Sequence, residues 1–325
     1  MKHVVSVSLG SSTRDHRVEV ELLGERFLVE RRGTDGDMAR AVALIRELDG
    51  RVDCFGMGGI DLYLAAGRRR YILRDAVRLA RAARKTPIVD GSGLKDTLER
   101  MVVQQLAADP NMGLRGARVL LVSAMDRFGM AEALVEAGAV VTFGDFLFAL
   151  GLPIPLHSLG TLALLARLLV PVVAQLPFAL LYPVGREQER ITASPRYTRW
   201  YLEHRWIAGD WLYIRRHLPD RLTGQTILTN TVTAADIDLL RQRGAGRLVT
   251  TTPQFGGRSF GTNVMEALLV AASGRRPEEL TAEEYRRMLE QLGFRPHIEE
   301  LGPGAPAATT AASGSQHREA RPDEP

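Results

Sequence analysis

Hydrophobic and polar positions change period several times along the first hundred residues. His3 to Ser8 reads as a short strand, and Leu9-Gly10-Ser11-Ser12 as the turn that ends it. From Arg17 to Leu23, Val18, Val20 and Leu22 alternate with Arg17, Glu19 and Glu21, the period-two signature of a half-buried strand. Glu21 to Glu25 then turns into Arg26 to Arg31, which predicts a hairpin. Asp35 or Asp37 is placed to cap a helix running to about Leu48, with Met38, Ala41, Val42 and Ile45 on one face. Val52 to Met57 is a further strand, ended by the loop Gly58-Gly59-Ile60-Asp61. A helix over Leu73 to Ala83 and a strand over Thr86 to Val89 complete a first α/β domain, assigned to residues 1–110 and to substrate binding.

The pattern then changes. Val119-Leu120-Leu121-Val122 is a continuous apolar run, as a central parallel strand covered on both faces requires. A helix over Met130 to Glu136 stops at Gly138, and Ala139 to Phe143 is the next strand. Further strand-like runs are Trp206 to Ala208, Thr226 to Leu228 and Arg247 to Thr250, the last two flanking a helix over Ala234 to Arg243. Strands alternating with helices predict a Rossmann-like, doubly wound parallel sheet over residues 111–300.

Within an apolar helical insertion at 146–200, Leu159 to Leu181 is long enough to be weighed as a membrane span. Arg167 lies inside it, Pro171 and Pro177 interrupt it, and no second such stretch exists. The expectation is no membrane partner, but a buried helix pair or an apolar surface hidden in a homodimer contact. From Gly302 onward Gly, Pro, Ala, Ser and Thr dominate, which predicts a disordered tail over 301–325.

Composition narrows the class. With 45% hydrophobic and 25% charged residues the chain reads as an ordinary globular protein. The net charge of +4 is small for 325 residues. Arg31-Arg32, Arg68 to Arg70, Arg215-Arg216 and Arg275-Arg276 are short basic runs that read as solvated helix ends or loops, so no nucleic-acid partner is expected. A single cysteine, Cys54, and a first segment without a long apolar core fit a cytoplasmic protein. The seven histidines have no zinc spacing, so no metal site is expected, although carboxylate ligation stays open. Only Lys2, Lys85 and Lys95 are lysines among 42 basic residues. Lys95 follows the glycine-rich Asp90-Gly91-Ser92-Gly93, and a buried amine can exchange a proton where a guanidinium stays charged.

The segment Ser123 to Met130 follows a buried strand and opens a helix, where free backbone N–H groups favour an anionic phosphate. Ser123, Asp126, Arg127, Gly129 and Met130 are therefore candidate cofactor contacts. The glycine fingerprint itself is missing, since Ala124 and Asp126 stand at its first two positions. Asp145, about 20 residues on, is placed to accept from a ribose and to favour NAD over NADP, or merely to cap a helix. Asn230, Thr231 and Thr251 extend the candidate site along the polar ends of later strands. Ser11, Ser12, Arg258 and Asn263 are candidate substrate contacts, Arg258 because a guanidinium binds a carboxylate in bidentate fashion.

The order strand, Asp90-Gly91-Ser92-Gly93, linking helix with Thr97 and Leu98, then strand Val119 to Val122 resembles the shikimate/quinate 5-dehydrogenases. The resemblance implies an NAD(P)-dependent oxidoreductase acting on a small hydroxylated cyclic carboxylate. It makes Asp90 a catalytic residue, with Lys95 as a displaced amine. The family's Asn-Val-Thr-x-Pro-x-Lys segment has no counterpart, because Arg51 to Gly59 lacks lysine. Two other readings stand beside it. One is a non-catalytic nucleotide-sensing protein on the same fold. The other is a magnesium-dependent phosphotransferase using the Leu9 to Thr13 turn and Asp61; the chain lacks a P-loop motif.

Overall fold

The computed structural model describes residues 1–66, 69–176, 191–192, 194–252, 254–255 and 258–302. The period-two stretch becomes β2 (His16–Leu22), antiparallel to β3 (Glu25–Gly33). Their turn, Leu23-Gly24, has φ of 52° and 76°, the left-handed pair that lets two residues reverse a twisted hairpin. β3 then runs parallel to β1 (Lys2–Ser8), β1 to β4 (Cys54–Gly58), and β4 to β7 (Ile88–Val89). The sheet order is β2-β3-β1-β4-β7. A separate hairpin joins β5 (Tyr63–Ala66) to β6 (Arg69–Ile72). One face of the sheet, through Val5, Val7, Phe55 and Met57, packs on α1 (Met38–Leu48) and α2 (Ala76–Ala80). α1 is capped by Asp37, as its sequence predicts. α2 is shorter than the 73–83 expectation because Ala82 N–H turns back to the Leu79 carbonyl at 3.0 Å and closes it.

α3 (Ser92–Ala108) leads to the second sheet. The apolar run there becomes β8 (Arg118–Leu121), flanked by β9 (Val140–Phe143) and β10 (Trp206–Ala208). β11 (Thr226–Thr229) and β12 (Arg247–Thr250) continue the parallel sheet. A small hairpin of β13 (Gln254–Phe255) and β14 (Arg258–Ser259) follows, and β15 (His297–Glu300) closes the edge antiparallel to β12. The order is β9-β8-β10-β11-β12-β15, so chain direction across the sheet reverses between β8 and β10. Helices α4 (Phe128–Glu136), α5 (Asp145–Phe148), α6 (Leu159–Val173), α7 (Pro195–Glu203), α8 (Trp211–Arg216), α9 (Ala234–Gln242), α10 (Thr262–Ser273) and α11 (Ala282–Gln291) complete the order. Two parallel-dominated sheets in a mixed α/β chain are therefore what the alternating pattern produces.

Where α10 goes is not visible in the pattern. It leaves the second sheet after β12 and packs on β1, β4 and β7 of the first, and on α3. Val264, Leu268 and Leu269 join Val4 and Cys54 of the first sheet and Val119 and Leu121 of the second in one continuous core. α6 also crosses, burying Leu162, Ala166 and Val170 while Leu164, Leu168 and Val172 stay exposed. Among the described residues no helix is long and apolar enough to cross a membrane. Residues 177–181 of the 159–181 stretch, and residues 303–325 of the expected tail, lie outside the described residues.

Gly91 marks the junction of α3 and α10. Its φ is +95°, and a Cβ there would sit 2.7 Å from the Asn263 backbone nitrogen. Gly91→Ala is expected to cost about 1–3 kcal/mol from backbone strain alone, with the clash added. Urea unfolding of the two proteins measures it.

Candidate functional site

The carboxyl ends of both sheets open on one cleft of about 660 Å³. From the first sheet it receives Ser6 and Ser8 on β1 and the loop after β4, Gly58 to Asp61. From the second it receives Asp126 and Arg127 after β8, Asp210 after β10, and Asn230 to Thr233 after β11. The β8 and β10 contributions flank the point where strand order reverses, the place where open α/β sheets leave a crevice.

At its centre lies Lys95, in the first turn of α3. Its ammonium is 2.8 Å from Asp126 Oδ1 and 3.4 Å from Asp61 Oδ2, with only 15% of the side chain exposed. Burial opposes the charge, but Asp126 and Asp61 outweigh it and hold the amine protonated. Burial also pushes the Asp61 carboxyl above the usual carboxylate range; Lys95 opposes that rise, and Asp126 and Asp90 add to it. Asp126 goes the other way, because Lys95 and Arg127 overcome its burial. Two carboxyls beside one ammonium are thus pushed apart, one toward holding a proton and one toward giving it up.

Behind this group Arg127, 3% exposed, bridges Asp210 at 2.9 Å and Glu99 on α3. Burial disfavours its charge, yet Glu99, Asp210 and Asp126 keep it protonated. Glu99 itself is raised by burial, only partly offset by Arg127 and Lys95. Asn230 Nδ2 donates to Asp210 Oδ2 at 3.0 Å, which ties the β11 end into the same network.

Asp90 does not meet the Lys95 amine. Its Oδ2 accepts from Leu62 N at 2.5 Å and Tyr63 N at 3.2 Å, and its Oδ1 from Ser92 N and Ser92 Oγ. It therefore pins the loop carrying Asp61 against the turn carrying Lys95, as a positioning residue. The acid–base partners brought to Lys95 are Asp61 and Asp126.

The Ser123–Met130 loop is used differently from a phosphate loop. Asp145 accepts from Ala124 N at 3.2 Å and Met125 N at 2.8 Å, so an internal carboxylate already holds the amides a pyrophosphate would take. A Cβ on Gly129 would meet the Asp96 carboxylate of α3, so that glycine serves helix packing. Met130 is buried core, and Ser123 Oγ accepts from Asp210 N at 3.4 Å. The residues at this loop do not fit a dinucleotide pyrophosphate. Burial lifts the Asp145 carboxyl to about 7 against the pull of the two amides, with Asp126 adding to the rise.

The remaining candidates are scattered. Thr231 lines the cleft and donates to the Phe260 carbonyl at 3.3 Å, whereas Thr251 is buried at the end of β12. Ser11 lines the cleft and Ser12 turns away to Asp35. Asn263 Nδ2 donates to Ser6 Oγ at 2.9 Å, joining α10 to β1. The Arg258 side chain lies outside the described residues. One reading is corrected outright. Arg31 is not a solvated end but a strand residue with 13% of its side chain exposed, held by Ser11 O, Ser8 Oγ and Asp15. Sequence reasoning also missed Glu99, and it gave Asp210 no role beyond a polar strand end at the cleft edge. The available signals were the polar Ser6 and Ser8 within an apolar strand and an acidic residue where the phosphate loop expects glycine.

A two-sheet α/β protein with an ionised cleft between the strand ends is the class these features define. The chain belongs to the family described as a domain of unknown function, DUF8754, whose model matches residues 93–301; a second, DUF8753, matches residues 3–90. No curated protein matches it. Among solved structures it is similar to a sugar ABC transport substrate-binding protein from Bordetella parapertussis 12822, at 13% identity over 92% of this chain and 89% of that one, TM-score 0.35. An NAD-dependent malic enzyme from Thermotoga maritima matches at 11% identity over 89% and 84%, TM-score 0.32. Superpositions this loose carry no argument about ligand or reaction.

Removing the internal acceptor tests the loop assignment. Asp145→Ala should cost about 1–3 kcal/mol by leaving two buried amides unpaired. The folded-state value lies above the ordinary 3.8. Its contribution is thus full below that value and lost as pH rises through about 7. Chemical denaturation across that window should show the decline in the parent chain and a flatter curve in Asp145→Asn.

Proposed function

We propose that this protein is an enzyme that takes a small hydroxylated compound into the cleft and moves a proton on one of its hydroxyl groups. The observation that carries the reading is the Lys95 ammonium held between Asp126 at 2.8 Å and Asp61 at 3.4 Å in the cleft wall. Asp126, held ionised, is the base that accepts the hydroxyl proton. Lys95 stabilises the negative charge developing on the oxygen, and Asp61, its carboxyl raised by burial, keeps its proton and donates a hydrogen bond to that oxygen. Asp90 and the Arg127–Glu99–Asp210 network orient these groups.

In this reading the second sheet is a Rossmann-like, doubly wound unit, supported by its strand order and by a cleft at the reversal of that order. Dehydrogenation of a cyclic hydroxy-carboxylate with NAD or NADP is the more specific form of the proposal. It is favoured by the cleft continuing from Lys95 to Asn230 and Thr231 at the β11 end. It needs a cofactor seat other than the Ser123–Met130 loop, so no step is derived through the nicotinamide.

Calorimetric titration with NAD, NADP, ATP and AMP, followed by turnover assays with quinate and shikimate, tests both forms. Binding of NAD or NADP with turnover supports the dehydrogenase; saturable ATP binding only with magnesium would replace it with phosphotransfer. On a substrate that is turned over, Lys95→Met and Asp61→Asn should each lower kcat by about 10²–10⁴-fold. The parent rate should fall as pH rises past the raised Asp61 value, and Asp61→Asn should lose that limb. Variants with full activity would sink the acid–base assignment.

A further inference from the structure

We infer that the end of the cleft formed by the first sheet is a seat for an oxyanion, a carboxylate or phosphate carried by the ligand, clamped between Arg14 and Arg31 with the hydroxyls of Ser6 and Ser8 as donors. The inference rests on the proposed ligand cleft but not on the proton chemistry assigned to it.

Charge is the first argument. Arg14 and Arg31 line the cleft, together with Ser6, Ser8, Ser11 and Thr13. Of the carboxylates beside the two arginines, Asp15 and Asp35 lie outside that lining and are already engaged. Asp15 accepts from Gly33 N at 2.6 Å and from Arg31, and Asp35 accepts from Ser12 N and Ser12 Oγ, each at 2.8 Å. Arg14 has no ion pair or side-chain hydrogen bond among the described residues. Burial brings the Arg31 guanidinium down to about 10, with the neighbouring Arg14 adding to the fall and Asp15 and Asp35 opposing it.

Donor geometry is the second. Ser8 Oγ accepts twice, from Gly10 N at 3.1 Å and Arg31 Nη2 at 3.0 Å, and Ser6 Oγ accepts from Asn263 Nδ2 at 2.9 Å. Both serines are at most 3% exposed, and both are i, i+2 neighbours on the cleft face of β1. Among the described residues neither O–H has an acceptor, so both are free to donate to a ligand in the cleft. Gly58 is what allows this, because a Cβ there would come within 2.8 Å of Ser8 Cβ. Two cations and two hydroxyls thus line the same cleft as Lys95. A ligand with an oxyanion at one end and a hydroxyl at the other fills both.

Isothermal titration of the full chain at low salt, with quinate as the carboxylate probe and inorganic phosphate as the phosphate probe, tests the seat. At least one should bind, with affinity falling as salt rises. Arg14→Ala should weaken that binding by about tenfold or more with an unchanged melting temperature, and Arg14→Lys should lose less. Which probe binds tells carboxylate from phosphate. Lys95→Met should retain phosphate binding, so loss of the proton chemistry and loss of the seat are separable. Failure of both probes, or Arg14→Ala binding as tightly as the parent chain, overturns the inference.

Discussion

An ammonium group removed from water costs several kcal/mol unless opposite charge replaces its hydration, and Lys95 is such a group. Its two carboxyl partners come from different sheets. Asp61 follows β4 in the first, Asp126 follows β8 in the second, and Lys95 itself begins the helix that links them. The lysine can be satisfied only when both strand ends reach the same point. The cleft is thus a consequence of charge balance as much as of packing. α10, crossing from the second sheet to pack on the first, supplies the apolar contacts that hold the ends there, and Gly91 lets α3 and α10 approach closely enough.

The balance is deliberately uneven in its effect. Lys95 and Arg127 face four carboxyl groups, Asp61, Asp126, Glu99 and Asp210. In a poorly solvated space four negative charges against two positive ones cannot all be sustained, so protons are retained. Asp61 and Glu99 are the groups shifted upward. Glu99 is sealed against Arg127, whereas Asp61 has 30% of its side chain open to the cleft. Of the two raised carboxyls, the one open to the cleft is therefore Asp61.

Much of the scaffold was legible because its causes are local. Val18, Val20 and Leu22 alternate because β2 has one buried face, and Val119 to Leu121 are uniformly apolar because β8 is covered on both. The site was legible only in part. The scarcity of lysine drew attention to Lys95, and the missing glycine drew attention to Asp126, yet their pairing across 31 residues has no sequence signal. Asp90 looked catalytic through its resemblance, but its carboxylate faces loop amides, an outcome fixed by how the Ile60–Tyr63 segment folds back. Arg31 shared a two-arginine run with Arg32. Strand geometry puts neighbours on opposite faces, so a paired charge run does not mean a shared environment. The route of α10 depends on the whole core and could not be read from any single window.

Asp145 bears on how far the resemblance reaches. A strand-to-helix loop in an α/β sheet presents free amides, and in dinucleotide enzymes those amides meet phosphate. Here the chain supplies its own carboxyl oxygens to Ala124 and Met125. A carboxylate in that position gives the loop its shape without any ligand, and it would have to leave before a pyrophosphate could enter. Asp126, next in sequence, then has its side chain free to face Lys95 instead of clashing with a phosphate. The absent glycines and the acidic intruder are thus one adaptation: the loop that elsewhere binds a cofactor here delivers a carboxylate to the cleft. If a nicotinamide cofactor does enter this cleft, its phosphates must be held by a part of the wall that the fingerprint never described.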